Sequence, residues 1–115
     1  MTLYTAEKLV IITEKLICEK VCSIITKAGA TGYTLTPAGG KGSRNKRSTA
    51  DRATVVDDFS NVKIEVIVSD KAMAEAIVEE VAHKYFNNYS GIAYVEDVGI
   101  LRQFKFNHAE LNNSQ

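Results

Sequence analysis

The sequence predicts an α+β domain whose elements follow the order β-α-β-β-α-β, and three observations support this prediction. Segment 7–14 contains an uninterrupted apolar run at 9–12, which is typical of a strand buried on both faces. Segment 61–68, NVKIEVIV, alternates apolar and polar residues and predicts a strand with one buried face. Two further segments repeat apolar residues at helical spacing. This order of elements is that of the ferredoxin-like sandwich.

Local signals place the elements of the first half. Thr13 is expected to cap a helix that ends at Gly29. The apolar stripe of this helix consists of Ile17, Val21, Ile24, Ile25 and Ala28. Segment 31–36, TGYTLT, alternates and predicts the second strand, which Pro37 is expected to stop.

The second half follows the same logic. Ser69 or Asp70 is expected to cap the second helix, whose apolar stripe consists of Met73, Ile77, Val81 and Tyr85. Segment 87–91, NNYSG, predicts a turn, and segment 92–98 predicts the fourth strand. Segment 100–106 predicts a short fifth strand, followed by a flexible polar tail at about 106–115.

Length and composition indicate one soluble domain that spans residues 1–115. Fourteen basic and fourteen acidic residues cancel, which argues against a dedicated nucleic-acid domain. No apolar run approaches the roughly 20 residues of a membrane span, and the N-terminus lacks signal-peptide features, so a cytoplasmic location is expected. Cys18 and Cys22 are too few for a zinc site and are expected to act as small hydrophobes.

The predicted topology leaves one face of the sheet uncovered. Right-handed crossovers place both helices on the same face. The first strand nevertheless offers apolar residues to both faces, Leu9 and Ile11 to one and Val10 and Ile12 to the other. A monomer would expose the second set, so a homo-oligomer that buries it is expected.

The connection 38–60 is the most informative segment, because a hairpin needs only about two to five residues. Glycines at 39, 40 and 42 let backbone N–H groups face one point and form an anion site. Ser43 adds a hydroxyl donor, Lys41 adds a charge, and Arg44 and Arg47 suit paired hydrogen bonds to phosphate. The alternative is a loop that is merely kept in solvent by its charges.

Two other classes of function compete. An RNA-binding module of this fold needs aromatic residues on its central strands for base stacking, and segments 7–14 and 61–68 contain none. A phosphoryl-transfer enzyme could hold Mg²⁺ with Asp57 and Asp58, but no paired base and nucleophile can be named. A slow adenine-nucleotide phosphohydrolase that uses the same loop remains the alternative to a binding protein.

Four segments carry a family resemblance that covers about residues 6–100. They are KLVIITEKL, AGATGYTLTPAGGKGSRNKRS, NVKIEVIV and VAHKYFNNYSGIAYVEDV. Together they resemble the PII-like signal-transduction proteins, most closely the SbtB type found beside bicarbonate transporters in cyanobacteria. The segments GGKGSRNKRS and KYFNNYSGI are the most specific parts of the match.

The resemblance implies a trimeric, non-catalytic sensor that binds AMP, ADP, ATP or cyclic AMP in clefts between subunits. Segment 38–60 would be the T-loop, which docks on partners. The implied nucleotide-binding residues are Thr34 from a neighbouring subunit, Gly40, Lys41, Gly42, Ser43, Arg44 and Arg47 of the loop, and Tyr89, Ser90, Gly91 and Ile92 of the turn. No catalytic residue and no metal ligand is implied, although Mg²⁺ or Ca²⁺ could accompany ATP.

The implied partner is a sodium-dependent bicarbonate transporter, contacted at the cytoplasmic side of the membrane, so that the protein would be peripherally membrane-associated when bound. Three features depart from the related families. The loop segment STADRATVVDDFS lacks the tyrosine that true PII proteins modify. The turn NNYSGI is short, which favours AMP-like ligands over a clamped triphosphate. The C-terminal segment lacks the cysteines of some SbtB-type proteins.

Overall fold

The computed structural model describes residues 2–39 and 59–101 and confirms the predicted β-α-β-β-α-β order. The strands are β1 (Tyr4–Glu14), β2 (Thr34–Ala38), β3 (Asn61–Val68) and β4 (Gly91–Ile100), and the helices are α1 (Cys18–Lys27) and α2 (Lys71–Tyr85). A short 3₁₀ turn, Lys15–Ile17, connects β1 to α1. The four strands form one antiparallel sheet in the order β2-β3-β1-β4. This is the ferredoxin-like α+β fold.

The strand β1 is the centre of the sheet and is buried on both faces, as the apolar run predicts. It pairs with β3 on one side and with β4 on the other. Leu9 and Ile11 belong to the core beneath the helices and are completely buried. Val10, which points to the opposite face, is also completely buried. One strand therefore supplies apolar contacts to both faces of the sheet.

The two helices cover one face of the sheet with the predicted stripes. Helix α1 buries Val21, Cys22, Ile24 and Ile25 and ends at Lys27; Gly29 follows two residues later, with a φ of 106° that favours glycine. Helix α2 begins after Asp70, whose carboxylate accepts a hydrogen bond of 2.8 Å from the Met73 backbone N–H. Cys22 lies in the core and Cys18 packs against it, as expected of small hydrophobes. Within residues 2–39 and 59–101, neither helix is long and apolar enough to cross a membrane.

Three predictions about element ends were wrong. Thr13 does not cap α1, because it belongs to β1 and a 3₁₀ turn intervenes before the helix. Pro37 does not stop β2, because it lies within the strand opposite Val62. Since β2 is an edge strand, the missing N–H of a proline is tolerated there. Strand β2 also begins at Thr34 rather than at residue 31, and Ala28 of the predicted α1 stripe is exposed.

The C-terminal predictions are only partly within the described chain. Strand β4 extends to Ile100, two residues beyond the predicted end of the fourth strand. Ile100, the first residue of the predicted fifth strand, therefore belongs to β4. Leu101 is described and follows β4 as a bend, not as part of a strand, while residues 102–115, which contain the remaining residues of that predicted strand and the polar tail, lie outside the described residues.

The face of the sheet away from the helices, here called the open face, is less apolar than expected. The Lys8 amine lies 3.9 Å from a Glu65 carboxylate oxygen and 3.5 Å from a Glu96 oxygen. The Lys63 amine lies 3.4 Å from the other Glu65 oxygen. Tyr94 on the same face is 40% exposed in the single chain. The open face thus combines a cluster of ion pairs with exposed apolar side chains.

A pair of carboxyl groups, the buried Glu7 and the exposed Asp97, joins the outer strand to the centre of the sheet on the helix side. Glu7 lies opposite Asp97 in the pairing of β1 with β4 and is only 6% exposed. Burial raises the pKa of Glu7, and a hydrogen bond to Asp97 and repulsion from its charge raise it further. Lys71 opposes this shift and Glu75 adds to it. Glu7 therefore holds its proton more strongly in the folded than in the unfolded chain.

This pair gives a prediction for stability against pH. The contribution of Glu7 to folding is fully present below its unfolded pKa and is lost as the pH rises through its raised folded pKa. Gln cannot ionise, and its amide can still donate to Asp97. The Glu7→Gln variant should therefore gain stability relative to the wild type between pH 4 and pH 7. Urea unfolding at both pH values measures this gain.

The matched control is Glu79→Gln, because Glu79 is exposed on α2. A difference between Glu7→Gln and wild type that stays the same at both pH values would contradict the account.

Candidate functional site

The candidate site lies at the end of the sheet where the long loop leaves and returns. Ala38 at the end of β2 is opposite Asn61 at the start of β3, and Asn61 is opposite Glu14 at the end of β1. On the other side of β1, Thr13 is opposite Gly91, the first residue of β4. Both ends of the loop and the turn 86–91 therefore meet at one end of the sheet.

Hydrogen bonds from the end of β1 hold the turn on two sides. The Thr13 hydroxyl donates to the Ser90 carbonyl oxygen at 2.8 Å. The Ser90 backbone N–H donates to the Glu14 carboxylate at 2.7 Å. The next backbone N–H, that of Lys15, donates to the Ser60 carbonyl oxygen at 3.0 Å, where the loop returns. Three consecutive residues, Thr13, Glu14 and Lys15, thus contact both the 86–91 turn and the returning end of the loop.

The turn itself is closed by the end of α2. The Asn88 and Tyr89 backbone N–H groups donate to the Tyr85 carbonyl oxygen at 3.1 and 2.9 Å. The Tyr85 and Tyr89 rings meet edge to face, with centroids 6.4 Å apart. The Phe86 ring lies against Gly91 so closely that a Cβ at this position would overlap it. Any larger residue where the turn enters β4 would therefore have to displace this ring.

Asn61 presents a buried polar atom at the same place. The side chain is only 9% exposed, and no described residue donates a hydrogen bond to its Oδ1 atom. A buried acceptor that lacks a donor costs roughly 1–3 kcal/mol. A ligand at the mouth of the loop that carries an N–H or O–H group would satisfy this atom.

The structure brings together part of the predicted site within one chain. Tyr89 and Ser90 are half-buried in the turn, and Gly91 and Ile92 follow them, with Ile92 59% exposed. The loop residues Gly40, Lys41, Gly42, Ser43, Arg44 and Arg47 lie outside the described residues.

Thr34 is not brought to this end of the sheet. It is the first residue of β2 and lies opposite Glu65. A strand rises roughly 3.3 Å per residue, so Thr34 lies about 13 Å from Ala38 along β2. Within one chain it cannot share a compact site with the turn, and its predicted role requires a neighbouring subunit.

The structure adds Thr13, Glu14, Asn61 and Phe86 to the candidate site, all of which the sequence analysis missed. Thr13 was assigned to a helix cap, and Glu14 has no distinctive signal, because a charged residue at a strand end is usually exposed. The best available signal was Gly91, since a glycine at the start of a strand often marks a close approach.

The described part of the site offers groups that can bind a polar ligand. Within residues 2–39 and 59–101, no group of three or more His, Cys, Asp or Glu side chains could hold a metal ion. The turn and the strand ends offer backbone groups and a buried amide oxygen, which suit hydrogen bonds to a polar ligand.

Comparison with known proteins identifies the family of this chain. The family model described as "Nitrogen regulatory protein P-II" matches residues 6–105. A PII-like signalling protein from Thermus thermophilus is 31% identical with a TM-score of 0.73, over 92% of this chain and 99% of that chain.

Two structures of CPII from Thiomonas intermedia are also similar. One, bound to ADP, AMP and acetate, is 27% identical with a TM-score of 0.73, over 92% of this chain and 98% of that chain. The other, bound to ADP and bicarbonate, is 28% identical with a TM-score of 0.73, over 90% of this chain and 96% of that chain. On its fold and on the extent of these matches, the chain belongs to the P-II family of nitrogen regulatory proteins, which are generally non-catalytic signalling proteins.

Proposed function

We propose that this protein senses adenine nucleotides, bound in clefts between subunits, and regulates a partner through its 38–60 loop. The observation that carries the proposal is the convergence of both loop ends and the 86–91 turn at one end of the sheet. The loop that starts there contains the glycines and basic residues that suit phosphate. The ADP and AMP bound to the similar CPII protein support the choice of ligand.

The proposed roles of the loop residues rest on their chemistry, and those of the turn residues and Thr34 rest on the family resemblance. Gly40, Lys41, Gly42 and Ser43 would supply backbone N–H groups, an amine and a hydroxyl to the phosphates. Arg44 and Arg47 would each grip phosphate oxygens with paired hydrogen bonds. The turn residues Tyr89, Ser90, Gly91 and Ile92 would close the cleft, and Thr34 would reach it from a neighbouring subunit. One arginine–phosphate pair at 4 Å is worth roughly 4 kcal/mol before desolvation.

The proposed assembly is a trimer, which is typical of the family. The open face offers the surface for it, since Ile92 and Tyr94 are 59% and 40% exposed in the single chain. Ile92 adjoins the turn, so burial of this face against a second subunit would place a neighbour's residues beside the candidate cleft. A cleft between subunits would then be completed only in the trimer.

The proposed partner is a sodium-dependent bicarbonate transporter, as in the SbtB type that the sequence resembles. The protein would reside in the cytoplasm and bind the cytoplasmic side of the membrane through this partner. The bicarbonate bound to CPII supports a link between nucleotide and inorganic carbon in this family. Binding of the purified chain to vesicles that carry such a transporter tests the assignment, and equal binding to empty vesicles would contradict it.

The ligand and the partner are coupled through the loop. A segment rich in charge and poor in apolar residues is ordered mainly when its charges are paired. Nucleotide binding would therefore change the loop ensemble that the partner recognises, and partner binding would change nucleotide affinity by the same factor. AMP and ADP are the first candidates, with cyclic AMP and ATP next. Mg²⁺ or Ca²⁺ could accompany ATP.

The phosphate role of the loop arginines is tested by substitution. Arg44→Ala and Arg47→Ala should each weaken ADP binding by about 1.5–3 kcal/mol, the range for hydrogen bonds to charged groups. Isothermal titration measures the affinities. Arg52→Ala, further along the same loop, removes the same charge and should leave the affinity nearly unchanged. Equal affinity of all three variants and the wild type would remove the arginine assignment.

The assembly is tested on the open face. Tyr94→Glu should dissociate the trimer, because it would place a charge at a buried contact. Sedimentation equilibrium at micromolar concentration measures the mass. Leu16→Glu is the matched control, because Leu16 is 79% exposed and belongs to the 3₁₀ turn rather than to a strand of the sheet. A wild type that sediments as a monomer, or a Tyr94→Glu variant that remains trimeric, would contradict the proposed interface.

The shape of the turn is tested at Gly91. Gly91→Ala should displace the Phe86 ring, destabilise the fold by about 1–3 kcal/mol and weaken nucleotide binding. Gly32→Ala is the matched control, since a Cβ at Gly32 would meet no atom within 4 Å. Urea unfolding and titration with ADP measure the two effects. If both variants behaved like the wild type, the close packing of the turn would have no bearing on the site.

A further inference from the structure

We infer that Thr13 and Glu14 are positioning residues that hold the 86–91 turn and the returning end of the loop in a fixed relation. The inference rests on the proposed nucleotide site. It assigns to that site a connection, here called the β1 joint, in which Thr13, Glu14 and the Lys15 backbone are hydrogen-bonded to Ser90 of the turn and Ser60 of the loop end. Neither residue belongs to the loop or to the turn. Both act on the candidate site through the backbone groups that they hold.

The first part of the argument is the double attachment of Ser90. The Thr13 hydroxyl donates to the Ser90 carbonyl oxygen at 2.8 Å, and the Ser90 backbone N–H donates to the Glu14 carboxylate at 2.7 Å. These bonds link positions more than seventy residues apart in the chain, so they are tertiary contacts and not part of a local turn. Two bonds on opposite sides of one residue fix its orientation as well as its position.

The second part is burial. Thr13 is 1% exposed and Glu14 is 8% exposed. A carboxylate removed from water to this degree needs hydrogen-bond donors to compensate for its lost hydration. The Ser90 N–H is one such donor, and hydrogen bonds to a charged acceptor are shorter and stronger than neutral ones. The Glu14 charge therefore favours a single conformation of the turn.

The third part is the connection to the loop. The residue after Glu14 donates its backbone N–H to the Ser60 carbonyl oxygen at 3.0 Å, just before β3 begins. A shift of the turn that displaced Glu14 would therefore also displace the Lys15 N–H and the Ser60 carbonyl oxygen that accepts from it. Since β1 is paired on both sides, it gives this joint a rigid base. The turn and the loop end are expected to move as one unit.

The experiment compares Glu14→Ala with Glu14→Gln and the core variant Ile77→Val. Loss of the acceptor should weaken ADP binding about tenfold in Glu14→Ala, the effect of one hydrogen bond to a charged group. Glu14→Gln keeps an acceptor oxygen and should stay within about threefold of the wild type. Ile77→Val lowers stability in the core of α2, nine residues before the turn begins, so its affinity should be unchanged.

Amide hydrogen exchange without nucleotide gives an independent readout. The Ser90 amide should exchange slowly in the wild type and rapidly in Glu14→Ala, and the Lys15 amide should follow it. If Glu14→Ala does not fold, Thr13→Val replaces it. This variant removes the neutral hydrogen bond to the Ser90 carbonyl oxygen, so it should weaken ADP binding about fivefold and still speed exchange of the Ser90 and Lys15 amides.

The outcomes separate this inference from the proposed function. A wild type that binds ADP, together with a Glu14→Ala variant of equal affinity, would overturn the positioning role and leave the nucleotide site standing. A wild type that binds no nucleotide would remove the proposed function. The exchange data alone would then test whether the β1 joint couples the turn to the loop end. A Lys15 amide whose exchange rate is unaffected by Glu14→Ala would show that the two are not coupled.

Discussion

The pairing of β1 with both β3 and β4 is the constraint on which the rest of the structure depends. Because β1 is the centre of the sheet, its apolar run must fill both faces, and Leu9 and Val10 are both completely buried. The same pairing sets which residues of the outer strands share a row. It thereby brings Asn61 and Gly91, which lie thirty residues apart in the chain, to either side of the end of β1.

The candidate site follows from this pairing more than from any single side chain. A loop between β2 and β3 has to leave at the end of the sheet where β1 finishes, and the turn between α2 and β4 has to arrive there. The last two residues of β1, Thr13 and Glu14, and the next residue, Lys15, are then available to contact both, which they do through hydrogen bonds of 2.7–3.0 Å. Because these hydrogen bonds connect the two segments, a ligand that favours one arrangement of the turn also favours one arrangement of the loop end.

Periodicity predicted the fold because it is a local property that burial enforces. The alternation in NVKIEVIV and the stripe through Ile77 and Val81 both face the core as expected. The errors arose where tertiary contacts decide. Thr13 would be an acceptable helix cap by residue type, but its hydroxyl bonds a residue far along the chain. Pro37 remains in a strand only because β2 is at the edge of the sheet, which residue type does not reveal. Glu14 and Asn61 were missed because nothing local distinguishes a buried polar residue from an exposed one.

Direct titration of the wild-type protein with ADP tests the central claim that the convergence of loop and turn forms a nucleotide site. AMP, cyclic AMP and ATP, the last with and without divalent cation, serve as the comparison series. The account predicts saturable binding near one site per chain, with a dissociation constant in the micromolar range, corresponding to roughly −8 kcal/mol. If none of the four nucleotides bound at millimolar concentration, the account would be contradicted, and the basic loop would be a partner-docking segment or one that its charges merely keep in solvent.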